Sequence, residues 1–330
     1  MSGSLSGGLA AGLPTETSSV RSNTLFLPTI AVVGVGLIGG SFALALREAG
    51  VVGRVIGAGR SRASLEEALR LGVIDAVLDL ESAAAAADLV LVATPVGQME
   101  AILARMAPHL RAGTLVTDAG STKADVVAAA TRALGDRLAQ FIPGHPVAGA
   151  EKSGAAAAQA GLYRHRRVVL TPLPVNAPAD IARVEAAWAA CGAVVSHMSP
   201  ERHDRVLATI SHLPHVLAYA LVEDIVADPD AHTLWQFAAG GFRDFSRIAS
   251  SHPEMWRDIC LANRDALLAR IDGYAATLGR LRALIAEGDA VGLDAVFARA
   301  RSERNRWLEQ FEGRQGSAAS NLPPAGGAAS

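Results

Sequence analysis

Three segments gather reactive side chains in a chain otherwise rich in alanine and leucine. The first is Thr117-Asp-Ala-Gly-Ser121-Thr-Lys123, and the second is Gly144-His145-Pro146-Val-Ala-Gly149-Ala-Glu151-Lys152-Ser-Gly. The third is spread over the later half: Ser211-His212-Leu213-Pro214-His215, then Gly240-Gly-Phe-Arg243-Asp-Phe-Ser-Arg247, then Met255-Trp256. Together these residue types suit dehydrogenation of an alcohol. That chemistry needs a nicotinamide to take hydride and a base with a pKa near the working pH to take the hydroxyl proton, for which imidazole is the natural group. A serine hydroxyl can fix the tautomer of that ring, and an arginine can clamp a substrate carboxylate at two points.

Each residue also has a plainer reading. Ser121 could N-cap the following helix. His145 could be a hydrogen-bonding histidine in a turn, and Arg243 and Arg247 could line a solvated helix face. His212 and His215 could pair on a metal, but no cysteine or carboxylate is spaced to complete a zinc site, so no metal is expected. Trp256 could be core.

The hydride acceptor has its own signature. Ile30-Ala-Val-Val-Gly34-Val-Gly36-Leu37-Ile38-Gly39-Gly40 sets a GxGxxG loop directly after an apolar run and directly before a helical one. In that context the first glycine permits a tight turn, the second lets the backbone approach a pyrophosphate, and the third allows close helix packing. The helix start at Leu37 and Ile38 then offers free N–H groups and the positive end of the dipole to the anion. About 20 residues further on, an acid normally holds the adenosine ribose. Here the next strand, Arg54-Val-Ile-Gly-Ala58, runs into Gly59-Arg60-Ser61-Arg62 with no carboxylate. Arg60 and Ser61 suit a 2′-phosphate, since guanidinium pairs with phosphate bidentately, and NADP is expected ahead of NAD. The alternative is that Arg60 and Arg62 merely decorate a solvated loop. Asp88-Leu-Val-Leu-Val-Ala-Thr94-Pro95 ends where a parallel sheet presents its ligands, which makes Thr94 and Pro95 cofactor neighbours.

The elements that must position these groups follow from periodicity. Between 29 and 170, short apolar runs alternate with helical ones: Ile30–Val35 then Leu37–Ala49, Arg54–Ala58 then Ser64–Leu71, Leu89–Ala93 then Met99–Leu110, Thr114–Thr117 then Lys123–Leu134. That alternation predicts an α/β, Rossmann-type, mostly parallel sheet. Three prolines in Thr171–Pro178 look like a boundary, yet Ile181–Ala190 reads as a helix and Ala193–His197 as a strand, so the nucleotide domain is taken as 29–198. Ser199 is a plausible N-cap with Pro200 at the first helical position. Beyond it no strand is evident, and 199–312 is read as an all-α substrate and dimerisation domain. Val206, Ile210, Leu213, Leu217 and Leu221 would form one helical face. Leu267, Ile271, Tyr274, Leu278, Leu281 and Ile285 alternate in steps of four and three, a heptad seam that fits an intrachain bundle helix or a homodimer interface equally. Residues 1–28 and 313–330, rich in Ser, Gly, Ala and Pro, are expected to be disordered.

Composition bounds the rest. The chain has 330 residues, 50% hydrophobic and 19% charged, with a formal charge of −2. Only Lys123 and Lys152 are lysines among 30 basic residues, and acids offset the arginines, so a nucleic-acid partner is not expected. Two cysteines and no basic stretch leading an apolar one fit a cytoplasmic protein. The uncharged stretch from Ser22 to Leu46 fails as a membrane span because Pro28 and four glycines break it.

The motifs resemble those of the prephenate/arogenate dehydrogenases of tyrosine biosynthesis over about Thr29 to Leu308. The stretches that carry the resemblance are Val33-Gly-Val-Gly-Leu-Ile-Gly-Gly-Ser, Asp118-Ala-Gly-Ser-Thr-Lys, Gly144-His-Pro-Val-Ala-Gly-Ala-Glu-Lys-Ser-Gly, Met198-Ser-Pro-Glu-Arg-His-Asp, Ser211-His-Leu-Pro-His, and Gly240-Gly-Phe-Arg-Asp-Phe-Ser-Arg-Ile-Ala through Met255-Trp-Arg-Asp. The resemblance implies oxidative decarboxylation of prephenate to 4-hydroxyphenylpyruvate, with arogenate, or both substrates, as the alternative. It implies His145 at the ring hydroxyl, Ser121 orienting that histidine, and Arg247 on a substrate carboxylate. His215, with Ser211 in the same motif, would contact substrate from the helical domain, and Glu151 would be a gating or polar-network carboxylate. The family's NAD-specific members carry the ribose acid that is missing here. A β-hydroxyacid dehydrogenase of similar layout relies on a helical-domain lysine, and no lysine follows Lys152. A non-catalytic dinucleotide sensor would need only the glycine loop.

Overall fold

The computed structural model describes residues 25–149 and 152–319. Among these, the first sheet holds β1 (Leu27–Val33), β2 (Val52–Ala58), β3 (Ala76–Val77), β4 (Leu89–Val92), β5 (Leu115–Asp118) and β6 (Phe141–Ile142). All its pairings are parallel, in spatial order β3-β2-β1-β4-β5-β6. Helices α1 (Leu37–Glu48), α2 (Arg62–Arg70), α3 (Leu80–Ala86), α4 (Met99–Met106) and α5 (Ala124–Leu134) lie in the connections. Parallel strands covered on both faces must be apolar at every position rather than at alternate ones. β1 obeys this: Ile30 and Val32 join Phe42, Leu46 and Trp188 on one side, while Ala31 and Val33 join Met99, Leu103 and Val126 on the other.

A second, three-stranded sheet follows. It pairs β7 (Gly144–Pro146) antiparallel to β8 (Arg167–Leu170), and β8 parallel to β9 (Val194–His197), with α6 (Pro178–Ala190) as the crossover. Trp188 of α6 anchors it to the first layer, its ring 4.6 Å from Phe42 and 5.2 Å from Tyr163. The Tyr163 hydroxyl donates to the Ile38 carbonyl at 2.6 Å, steadying the first turn of α1.

The remaining described chain is helical: α7 (Pro200–Leu207), α8 (Leu213–Ala227), α9 (Ala231–Phe237), α10 (Gly240–Ser246), α11 (Pro253–Ala262), α12 (Arg264–Glu287) and α13 (Ala290–Ala319). Ser199 caps α7, its hydroxyl accepting from the Arg202 N–H at 3.3 Å. A single π-helical turn, Ala208–His212, joins α7 to α8. That turn overturns the expected apolar face. Before the turn His203, Asp204 and Leu207 face inward, and the inserted residue shifts the register after it: Leu213 stays buried, while Ile210 within the turn is 65% exposed and Leu221 beyond it is also exposed. The run Pro200–Ala227 is long and apolar enough, by length and composition alone, to cross a membrane.

Both expected disordered ends need correction at their inner limits. β1 starts at Leu27, which is buried and pairs with Val52, so the ordered chain begins before residue 29. α13 continues to Ala319, past the expected limit at 312, because helix propagation adds one hydrogen bond per residue and no proline interrupts it before Pro323. Residues 1–24 and 320–330 lie outside the described residues. On α12 the heptad seam is covered at Leu267 but open further along, with Leu278 49% and Ile285 65% exposed.

Candidate active site

The carboxyl edge of the first sheet assembles the site. Gly34 has φ +93°, a left-handed conformation that favours glycine, and a Cβ there would lie 2.5 Å from the Ala93 carbonyl oxygen. A Cβ on Gly39 would lie 2.3 Å from the Gly34 oxygen, so α1 can seat itself on β1 only without a side chain there. Gly36 is the opposite case: a Cβ would meet nothing within 4 Å, leaving an open cradle at the start of α1. The α1 N-cap has no side-chain hydrogen bond and its first turn no acid, so the N–H groups of Leu37 and Ile38 remain available to an anion. The Thr94 hydroxyl, beside Gly34, is buried without a hydrogen-bond partner among the described residues. A glycine cradle, a bare helix N-terminus and an orphaned hydroxyl fit a dinucleotide.

At the ribose end, the Gly34 N–H donates to the Ala58 carbonyl at 2.9 Å, which brings the end of β2 to the loop. Arg60, Ser61 and Arg62 follow, all exposed. Ser61 caps α2 by accepting from Ser64 N–H at 3.2 Å, and Arg62 pairs with Glu66 at 2.7 Å. Arg60 makes no hydrogen bond or ion pair with the described residues and is open to a ligand.

Asp118 and Lys123, both fully buried, build the floor. The Lys123 ammonium donates to Asp118 Oδ2 and to the Gly144 carbonyl, the latter at 2.7 Å. Asp118 also accepts from Gly120 N–H at 2.7 Å and Gly144 N–H at 3.0 Å. The end of β5 is thereby locked onto the first residue of β7, immediately before His145. His145 Nδ1 lies 2.8 Å from His203 Nε2, and His203 Nδ1 lies 2.8 Å from Asp204 Oδ1. The Asp204 carboxylate in turn accepts from the N–H groups of Lys123 and Ala124, each at 2.8 Å, and so caps α5 from the helical half of the chain. Burial, reinforced by the positive charge of Lys123, holds the His145 pKa well below the usual imidazole value, so the ring is neutral at pH 7. Burial works against the charge on Asp204, but hydrogen bonds from His203, Ala124 and Lys123 outweigh it and keep its pKa below the ordinary carboxylate value.

The helical wall carries the other candidates. His215 stacks on Trp256 with ring centroids 3.6 Å apart, and its Nδ1 lies 2.8 Å from the Ser211 carbonyl. Burial, then the nearby positive charge of Arg247, lowers the His215 pKa against the opposing Ser211 bond. Arg247 itself is exposed at the start of a 3-10 turn, Arg247–Ser250. His212 belongs to a different network: its Nδ1 lies 3.0 Å from Asn263 Nδ2, which also donates to the Asp204 carbonyl at 2.9 Å. Burial pushes the His212 pKa down to about 4. The loop after β4 touches this wall as well, since a Cβ on Gly97 would lie 3.4 Å from Asp258 Oδ2.

Residues 42–197 match the prephenate dehydrogenase nucleotide-binding domain, and residues 199–299 match the prephenate dehydrogenase dimerization domain. The chain belongs to the prephenate dehydrogenase family. It is 40% identical over 280 residues to prephenate dehydrogenase of Bacillus subtilis, covering 84% of this chain and 75% of that one. It is 39% identical over 266 residues to cyclohexadienyl dehydrogenase of Zymomonas mobilis, covering 79% and 89%. Among solved structures, prephenate dehydrogenase from A. aeolicus in complex with hydroxyphenyl propionate and NAD+ superposes with a TM-score of 0.75 at 34% identity, covering 89% of this chain and 99% of that one.

Within this prephenate dehydrogenase fold, Gly34, Gly36, Gly39, Thr94 and Pro95 come together at one edge with Asp118 and His145. Ser121 lies in the Asp118–Lys123 loop, half-buried, and its hydroxyl makes no hydrogen bond to the described residues. The partner at His145 Nδ1 is His203 instead. Glu151 lies outside the described residues. Sequence reasoning missed Asp118, Lys123, His203, Asp204 and Asn263 as site residues. The available signal was a His-Asp pair on the inward face of α7, four and three residues before buried Leu207, where two more apolar side chains would be expected.

Proposed function

We propose that the chain oxidises prephenate to 4-hydroxyphenylpyruvate and carbon dioxide, with NADP+ ahead of NAD+ as hydride acceptor. The observation that carries this reading is the buried, neutral imidazole of His145 at the sheet edge that holds the glycine cradle, in a chain of this family. His145 takes the proton of the ring hydroxyl as hydride departs from the same carbon. When bound, the dinucleotide supplies the nicotinamide that accepts that hydride. The ring carboxylate leaves as carbon dioxide, its bonding electrons complete the aromatic ring, and the ring oxygen takes the proton back from His145 to become the phenol hydroxyl. Aromatisation makes that second step strongly downhill, so the protein's task is to promote hydride loss, for which one base and no metal suffice.

Arg247 is assigned to a substrate carboxylate, where charge-assisted bidentate bonds fix the ring. His215, Ser211 and Glu151 are assigned to the substrate wall, and Ser121 to the substrate side of His145. Gly34, Gly36, Leu37, Ile38, Gly39, Thr94 and Pro95 would hold the dinucleotide. Arg60 and Ser61 would hold the 2′-phosphate, supported by the lack of a carboxylate at the end of β2 and by Arg60 having no ion-pair partner among the described residues. The active unit is proposed to be a cytoplasmic homodimer built on α12.

A steady-state assay crossing prephenate and arogenate with NADP+ and NAD+ tests this directly. The expected result is the highest kcat/KM for prephenate with NADP+. Oxidation of neither cyclohexadienyl substrate with either cofactor would overturn the function. A preference for NAD+ would overturn only the role of Arg60 and Ser61.

A further inference from the structure

Behind His145 stand two buried ionisable groups that the proposed reaction does not itself use. Their proton positions follow from the hydrogen bonds in order. Asp204 accepts from two backbone N–H groups, one on each carboxylate oxygen, and neither bond can be reversed. A carboxylate so held is an acceptor only, so the proton on the 2.8 Å contact to His203 sits on His203 Nδ1. With His145 as the base, Nε2 is the ring nitrogen not engaged by His203 and must carry the lone pair, so the ring proton lies on Nδ1 and its acceptor is His203 Nε2. His145 therefore donates across that 2.8 Å contact.

We infer that Asp204 and His203 are positioning residues that lock His145 in the Nδ1–H tautomer, with Nε2 as the atom that receives the substrate proton. This rests on the proposed role of His145 as base. No proton need travel along the chain. The substrate proton rests on His145 Nε2 until the ring oxygen takes it back on aromatisation, and meanwhile the positive charge on the imidazole is held by the bond to His203 and, through it, by the Asp204 carboxylate. The device spans the two halves of the molecule: Asp204 and His203 belong to α7, and His145 belongs to β7. Because Asp204 also caps α5, the active tautomer is set only when α7 is docked on the nucleotide domain.

The test combines the tautomer with turnover. Long-range proton–nitrogen NMR of the full chain, with 15N-labelled histidine and His145 identified by its loss in His145→Asn, is expected to show His145 Nδ1 protonated and Nε2 unprotonated at pH 7.5. His203→Leu removes the acceptor and should lower kcat by about 10²-fold or more. His203→Gln offers a side-chain oxygen in place of Nε2 and should bring kcat back to within about tenfold of wild type. Dinucleotide affinity should be unchanged in both. A wild-type ring protonated at Nε2, a His203→Leu enzyme with unaltered kcat, or a His203→Gln enzyme as slow as His203→Leu would each overturn the relay. If His203→Leu does not fold, the wild-type spectrum decides alone. A His145→Asn enzyme with wild-type turnover would remove the base itself, whereas an inactive His145→Asn enzyme beside a wild-type ring protonated at Nε2 would remove only the relay.

Discussion

Lys123→Met is expected to be the most damaging single change outside the apolar core. Lys123 and Asp118 are both fully buried, and the lysine supplies the only full positive charge among Asp118's described partners, the others being the Gly120 and Gly144 N–H groups. Removing one member of a buried pair leaves the other charge uncompensated, at a cost of about 3–5 kcal/mol. The Gly144 carbonyl loses its 2.7 Å donor in the same step, so the link between β5 and β7 loosens where His145 is seated. Against a total stability of about 5–15 kcal/mol for a natural domain, a loss of that size should lower Tm by roughly 10 °C. Urea unfolding with an unchanged m-value would measure it. Removing both charges together in Asp118→Asn/Lys123→Met abolishes the uncompensated ion, and the double variant should recover at least half of the loss. A Lys123→Met protein within about 1 kcal/mol of wild type, or a double variant no better than the single, would refute the reasoning.

Arg247→Ala should chiefly raise KM for prephenate and cost about 2 kcal/mol in kcat/KM, roughly 30-fold, the worth of a charge-assisted bond; an unchanged KM would withdraw Arg247 from the substrate. Arg243, exposed and paired with Asp244 at 3.2 Å, serves as the control. Because the His145 pKa lies well below the usual value, the base form survives to low pH, and the acid limb of kcat/KM should fall below pH 6.5. A limb centred at or above 6.5 would contradict it. Stability carries the same sign through His212: with a folded pKa of about 4 against about 6.5 unfolded, its contribution is complete above pH 6.5 and is lost, up to about 3 kcal/mol, as pH falls through 4. Urea midpoints that do not fall between pH 7 and pH 4.5 would contradict that. Leu278→Asp with Leu281→Asp should convert dimers to monomers in light scattering, and persistence of the dimer would remove the α12 seam from the interface.

The parts of the molecule legible in the sequence are those whose determinants are local. The β1–glycine loop–α1 unit is written in adjacent residues: an apolar run buried on both faces, three glycines at fixed spacing, then a helical period. Ser199 and Pro200 likewise announce α7 within two positions. β9 is legible as the run Ala193–His197, but its sheet is not, because β7 is three residues long and includes a proline, and its partner β8 lies more than twenty residues away. The relay escaped for a stronger version of the same reason. His145 and His203 are 58 residues apart, and Asp204 meets the start of α5 from 81 residues away. Only the docking of α7 on α5 brings them together. The π-turn is illegible because nothing in Ala208-Thr-Ile-Ser-His212 marks an inserted residue, and the apolar period of the sequence runs straight through it.

The central claim is that His145 is the base of a prephenate oxidation. The measurement that tests it most directly is kcat for His145→Asn with prephenate and NADP+, taken beside the dissociation constant for NADP+. The account predicts a fall in kcat of about 10²–10⁴-fold with dinucleotide affinity nearly unchanged. Turnover at the wild-type rate would contradict it.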